Sequence, residues 1–157
     1  KEKIFKLNLL PSGIIRGKQC IIGNGVILDP WALRDEITKL KQQGVKINSN
    51  NLQIAENICL ILPIHKALDE INEKSRGEEN IGTTKKGIGP AYEDKIGRRS
   101  IRLCDLLDEK LLKKKIQNII AFHSMRLKKF NKKFDQSDIL IKLLEVYKDI
   151  SKYSSPT

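Results

Sequence analysis

The sequence is poor in the residues that mark several familiar kinds of protein. Aromatic side chains make up 5% of its 157 residues, with a single tryptophan. Base stacking on aromatic platforms, the usual way of holding single-stranded nucleic acid, therefore has little to work with. Three cysteines, Cys20, Cys59 and Cys104, lie far apart. None has zinc-finger or redox-motif spacing, and an odd number cannot all pair within one chain, so buried or inert thiols in a reducing compartment are expected. His65 and His123 each stand alone in a helical pattern; structural, hydrogen-bonded roles are expected, and a metal site built on them is not. No stretch approaches eighteen apolar residues, which excludes a transmembrane helix. The opening "KEKIFKLNLLPSG" lacks the continuous apolar run and small-residue cleavage site of a secretory signal. A soluble, cytoplasmic protein is the expectation.

Acids are also scarce beside bases, 19 against 30, which leaves a formal net charge of +11. Such an excess suits a nucleic-acid backbone through counterion release, or a small anionic ligand equally well. Lysine is spread along the whole chain, and no zinc-finger or aromatic RNA-binding string accompanies it.

What is present is mostly helical periodicity. "KIFKLNLL" (Lys3 to Leu10) alternates imperfectly and meets "PSG", predicting a strand that enters a turn. "IIGNGVILDP" predicts a short strand or buried connection around a Gly-Asn-Gly turn. Asp29 followed by Pro30 is a helix start, with Leu33, Ile37 and Leu40 on one face and Gly44 at the close. A second helix is predicted from Pro63 to Arg76, with Ile64, Leu68 and Ile71 inward and Gly77 after it. "SIRLCDLLD" predicts an extended piece and a turn. From Asp108 onward, Leu112, Ile116, Ile119, His123, Leu127 and Phe130 form one stripe, opposite a face with nine lysines and arginines. Such a face could bind RNA or acidic membrane, although it is more often simply solvated. A last helix covers Asp138 to Ile150, and the tail "SKYSSPT" has no obvious structural ending. The few strands are too short for a sheet of their own.

One stretch differs in kind: "GTTKKGIGPAYEDKIGRR", Gly82 to Arg99. It is not a Walker A loop, because Ile88 and Gly89 stand where the Lys and Ser/Thr belong. Nor is it a dinucleotide fingerprint, because Tyr92 occupies the third glycine's place. Glycine backbone amides, the Thr83 and Thr84 hydroxyls, and Lys95, Arg98 and Arg99 together suit an anion. If the last three share a helix, Lys95 lies beside both arginines. From composition alone, a solvated basic loop is an equally open reading.

The order of residues adds more. "GIGPAYEDKIGR" (Gly87 to Arg98) resembles the second signature of the adenylosuccinate synthetase family. "LLPSGII", "IGNGVILDP", "HKALDE", "GTTKKG" and "RLCDLLD" resemble that family in its order and rough spacing, so the similarity covers nearly the whole chain. The resemblance implies an α/β fold of the P-loop-NTPase kind with a large, mostly parallel sheet, of which this segment would be the mostly helical part with a few short strands near its N-terminus. It implies a complete enzyme that joins IMP to L-aspartate with GTP and Mg2+ to form adenylosuccinate. It further implies that Thr84 helps to hold the 5′-phosphate of IMP, and that Arg98 reaches the same phosphate in the partner's site across a homodimer interface. The family's Trp-Gly-Asp-Glu-Gly-Lys-Gly and Gly-His-Thr strings are missing here, as are the later segments for guanine and aspartate. Residues 1–157 are therefore expected to be a single central segment with no catalytic or metal-binding residues, inactive alone. The alternative is a basic helical module that binds nucleic acid through the lysine face.

Overall fold

Parallel pairing of very short strands organises the chain, and helices supply most of its mass. The computed structural model describes residues 4–75 and 84–156. Strand β1 (Cys20–Ile22) pairs in parallel with β3 (Leu52–Ala55), and β3 with β5 (Ser154–Ser155). A second parallel pair joins β2 (Ile27–Leu28) to β4 (Cys59–Leu60). Parallel neighbours need a crossover, and helix α1 (Pro30–Gln42) provides it between the first two strands and their partners.

Helix α1 begins as the sequence predicts. The Asp29 carboxylate accepts from the amides of Trp31 and Ala32, at 3.1 Å each, and Pro30 occupies the first helical position. Gly44 follows the end of the helix at φ 90°, a left-handed conformation in which an added Cβ would be strained. The expected strand at Lys3 to Leu10 does not form over the described residues 4–10. Three of its amides go instead to one carboxylate: Asn8 and Leu10 donate to Glu36 Oε1 at 3.0 and 3.2 Å, and Leu9 to Oε2 at 3.0 Å. A buried acid on α1 thus satisfies the backbone groups that a neighbouring strand would otherwise have taken. Replacing Glu36 with Ala is expected to cost about 1–3 kcal/mol. A lowered urea midpoint at unchanged slope would show it, and an unchanged midpoint would contradict it.

Four more helices follow: α2 (Pro63–Ser75), α3 (Ile88–Ile96), α4 (Glu109–Lys129) and α5 (Gln136–Ile150). The expected end of α2 at Arg76 and Gly77 lies outside the described residues. Helix α2 packs on α3 and α4, α4 on α5, and α5 on α1. Along α4 the predicted stripe is the buried one, Leu112, Ile116, Ile119, His123 and Leu127, with Phe130 half-buried after its end. Arg102 bridges Cys59 beside β4, and a 3-10 turn at Leu103–Leu107 leads into α4. The tail that showed no structural ending supplies β5, whose partner β3 is about a hundred residues away in sequence. The strands therefore do pair among themselves, but only as narrow ladders, packed in a main apolar cluster and a small second one of Ile27, Cys59, Ile61 and Ala91.

The three thiols are free, with Cys20 and Cys59 buried. Burial pushes the Cys104 thiol above its ordinary range, and the Asp105 and Glu56 carboxylates push it the same way, which keeps it protonated and unreactive. Among the described residues, no helix is long and apolar enough to cross a membrane.

Candidate functional site: the glycine-rich turn and helix α3

Helix α3 carries the glycine-rich signature and is fixed at its entry by a close approach. Gly87 adopts φ 80°, and its amide donates to Asp69 Oδ2 of α2 at 2.9 Å. A Cβ on Gly87 would lie 2.8 Å from both the His65 carbonyl carbon and the Lys66 nitrogen. Only glycine lets the turn sit this close to α2. Pro90 falls in the first turn of α3, where its missing amide leaves no helical bond unmade.

The signature's tyrosine and lysine face the Gly-Asn-Gly turn. Tyr92 Oη donates to the Gly25 carbonyl at 3.0 Å. Lys95 Nζ donates to the carbonyls of Asn24 and Gly25 at 2.8 and 3.3 Å, and lies 5.5 Å from the Tyr92 ring centre. These contacts strap α3 to the segment between β1 and β2.

The three bases do not line up on one helical face. Helix α3 ends at Ile96, and Arg98 then takes a left-handed conformation at φ 58°. The three side chains go to different places. Lys95 is committed to backbone carbonyls. Arg99 turns back onto Asp94, Nε to Oδ1 at 2.9 Å, with its guanidinium stacked 3.9 Å from the Phe122 ring centre. Arg98 alone of the three is left exposed, with no hydrogen bond or ion pair from its side chain among the described residues.

Thr84 is also exposed, three residues before Gly87, at the opposite end of α3. Nine helical residues at about 1.5 Å each place roughly 13 Å of helix axis between the two ends. The two residues implied to meet one phosphate are thus not brought together within one chain. Gly82 and Thr83 lie outside the described residues. Arg98 borders a cavity of about 480 Å³ that Arg102 and Lys115 also line, and a cleft of about 850 Å³ lies along Lys86, Ile88 and Tyr92.

Sequence reasoning missed the group at the centre of this arrangement. Asp94 is fully buried, and its carboxylate receives His65 Nε2 at 3.1 Å, His123 Nε2 at 2.9 Å and Arg99. His65 Nδ1 accepts from the Leu62 amide at 2.9 Å, so the His65 proton sits on Nε2 and is donated to Asp94. Burial by itself pushes the Asp94 carboxyl up. The bonds from His123, His65 and Arg99 outweigh it and hold the group well below the usual carboxylate range. A carboxylate depressed in this way adds stability that is complete at neutral pH and fades only as pH falls below about 4. Both histidines are hydrogen-bonded and structural, as expected. The available signal was helical spacing, since Ala91 and Asp94 share the buried face of α3 and a buried acid requires donors.

These features define a class: a parallel-stranded, mostly helical α/β segment that presents a glycine-rich turn and an exposed arginine at opposite ends of one helix. The chain belongs to the adenylosuccinate synthetase family, whose model matches residues 1–157. It is also similar to a solved structure described as fully ligated adenylosuccinate synthetase from Plasmodium falciparum. The two are 27% identical, with a TM-score of 0.79 over 95% of this chain and 34% of that one. The chain therefore spans about a third of the length of the structure it matches.

Proposed function

We propose that residues 1–157 are a single central segment of an adenylosuccinate synthetase, and that the complete protein ligates IMP and L-aspartate with hydrolysis of GTP in the synthesis of AMP. Family membership over the whole chain carries this reading. The segment would supply contacts to the 5′-phosphate of IMP and part of a homodimer interface. Its N-terminal nucleotide loop and its guanine- and aspartate-binding regions would lie elsewhere in the complete protein. Thr84 would offer a hydroxyl to the phosphate, and Arg98 of a second copy would offer a guanidinium able to grip two oxygens.

Two features support the assignment of Arg98. Among the described residues its side chain has no hydrogen bond or ion pair while its basic neighbours are engaged, and the length of α3 separates it from Thr84 of its own chain. Beside it, exposed Ile96, Phe122 and Met125 border a groove of about 750 Å³, apolar surface suited to a second copy. The metal that this chemistry uses would be Mg2+. Its ligands would lie in the rest of the protein. A cytoplasmic location fits a purine-synthesis ligase.

The nucleic-acid reading has no observation in its favour. Part of the basic face along α4 and just past its end is already engaged within the chain: Lys115 with Asp105 at 2.6 Å, Arg126 with Asn72, and Lys132 with Glu70 at 3.3 Å. The test is the reaction itself. The complete protein, supplied with IMP, L-aspartate, GTP and Mg2+, is expected to form adenylosuccinate, and the isolated 157-residue chain is expected to form none. No product from the complete protein above a GTP-free blank would overturn the proposal.

A further inference from the structure

We propose that Asp94 is a positioning residue for Arg98: its buried carboxylate, held by His65, His123 and Arg99, fixes the left-handed turn from which Arg98 projects. This inference rests on the reading that Arg98 meets a nucleotide phosphate in a second copy.

Arg98 is one of three described non-glycine residues with positive φ. Such a conformation costs about 1–2 kcal/mol for an L-residue and persists only where its surroundings impose it. The imposing contacts are those of its neighbours. The Arg99 amide donates to the Asp94 carbonyl at 2.8 Å, and Arg99 Nε donates to the Asp94 carboxylate at 2.9 Å, so Asp94 holds the following residue by main chain and side chain together. The same guanidinium reaches back to the carbonyls of Gly97 at 3.3 Å and Glu93 at 3.4 Å, which closes the end of α3. On the other side, the Arg98 amide donates to the Lys95 carbonyl at 3.2 Å. The backbone of Arg98 is thereby gripped from both sides, while among the described residues its exposed side chain makes no hydrogen bond or ion pair.

The carboxylate also ties this turn to the body of the protein. His65 belongs to α2 and His123 to α4, so Asp94 joins three helices at one point. Asp69, also on α2, holds the amide of Gly87 at the other end of α3. Both ends of α3, the Thr84 side and the Arg98 side, are thus referenced to α2. A guanidinium that must reach into a neighbouring subunit gains from such a frame, because a displacement near 1 Å can cost up to about a hundredfold in rate.

The test is kinetic and uses the complete enzyme. Asp94→Asn keeps the shape of the side chain and removes its charge. It is expected to raise KM for IMP about tenfold, with kcat and KM for GTP within about twofold. In an Arg98→Ala background the same change should have no further effect on KM for IMP. A purely structural Asp94 would instead lower kcat and alter both KM values alike, or act equally in the two backgrounds. Either result overturns the proposal, as does an unchanged KM for IMP. Should Asp94→Asn fail to fold, Arg99→Lys is judged by the same criteria. It keeps the charge, loses the fork, and is expected to raise KM for IMP about threefold. If Arg98→Ala raises KM for IMP while the clamp variants do not, only this inference fails. If Arg98→Ala leaves it unchanged, the phosphate reading fails and takes this inference with it.

Discussion

Mixing an Arg98→Ala protein with a Thr84→Ala protein is expected to restore ligase activity well above the sum of what the two show alone. On the proposed reading, each substitution removes one contact to the same phosphate. Losing the arginine should cost about 2–4 kcal/mol, or roughly 30- to 900-fold in kcat/KM for IMP. Losing a hydroxyl bonded to a charged group should cost about 1.5–3 kcal/mol. Helix α3 separates the two residues, so on the proposed reading one site takes Thr84 from one chain and Arg98 from the other. In a two-fold dimer of one Arg98→Ala and one Thr84→Ala protomer, one site then receives both intact residues and the second receives neither. Random reassortment makes about half of all dimers mixed, so about a quarter of the original sites should return. The measurement is initial rate after co-expression or after denaturation and refolding of the mixture, compared with the same treatment of each protein alone. Recovery well above the sum of the two parents supports action across the interface. No recovery, with mixed dimers shown to form, places the arginine in its own subunit's site or away from the phosphate.

Features governed by neighbouring residues could be read in the sequence, and features governed by distant ones could not. Asp29 and Pro30 start α1 because a capping carboxylate and a fixed φ act within one turn, and Gly44 follows its end for the same local reason. The buried stripe of α4 follows from spacing alone. The expected strand at Lys3 to Leu10 failed because its amides found Glu36, about 27 residues onward, and nothing in an alternating pattern announces such an acceptor. Strand β5 escaped notice because two serines show no strand preference; they pair with β3 through the packing of everything between. At the site, the basic cluster was legible as composition but not as geometry. Had one helix carried all three bases, Lys95 would have lain beside both arginines; α3 instead ends at Ile96, and the left-handed turn at Arg98 puts Lys95, Arg98 and Arg99 in three different environments. Each histidine could be assigned a structural role singly. Their common partner Asp94 is 29 residues from both, in opposite directions, a relation that appears only once α2, α3 and α4 are packed.

Gly87→Ala is expected to be among the most damaging small substitutions in the segment, and Gly89→Ala, two residues on, is expected to be harmless to stability. The two glycines share a motif but not a reason. At Gly87 a methyl group meets the His65 carbonyl carbon and the Lys66 nitrogen at 2.8 Å, and the His65 Cβ at 3.0 Å. The first two are backbone atoms at the start of α2, so relief requires moving a helix rather than rotating a side chain. Positive φ adds its own penalty for any L-residue. A shift of α3 away from α2 would also lengthen the bond from the Gly87 amide to Asp69 and strain the donors around Asp94. These effects together should cost about 2–5 kcal/mol, a large part of the 5–15 kcal/mol typical of a whole domain. At Gly89 an added Cβ meets nothing within 4 Å, and the residue lies within α3 without positive φ. Alanine there should be neutral or stabilising by up to about 1 kcal/mol through its helix preference. Thermal melting of the complete protein with each substitution separates the two. Equal melting temperatures would show that α3 does not depend on close contact with α2, and the frame that positions Arg98 would lose its support at the Gly87 end.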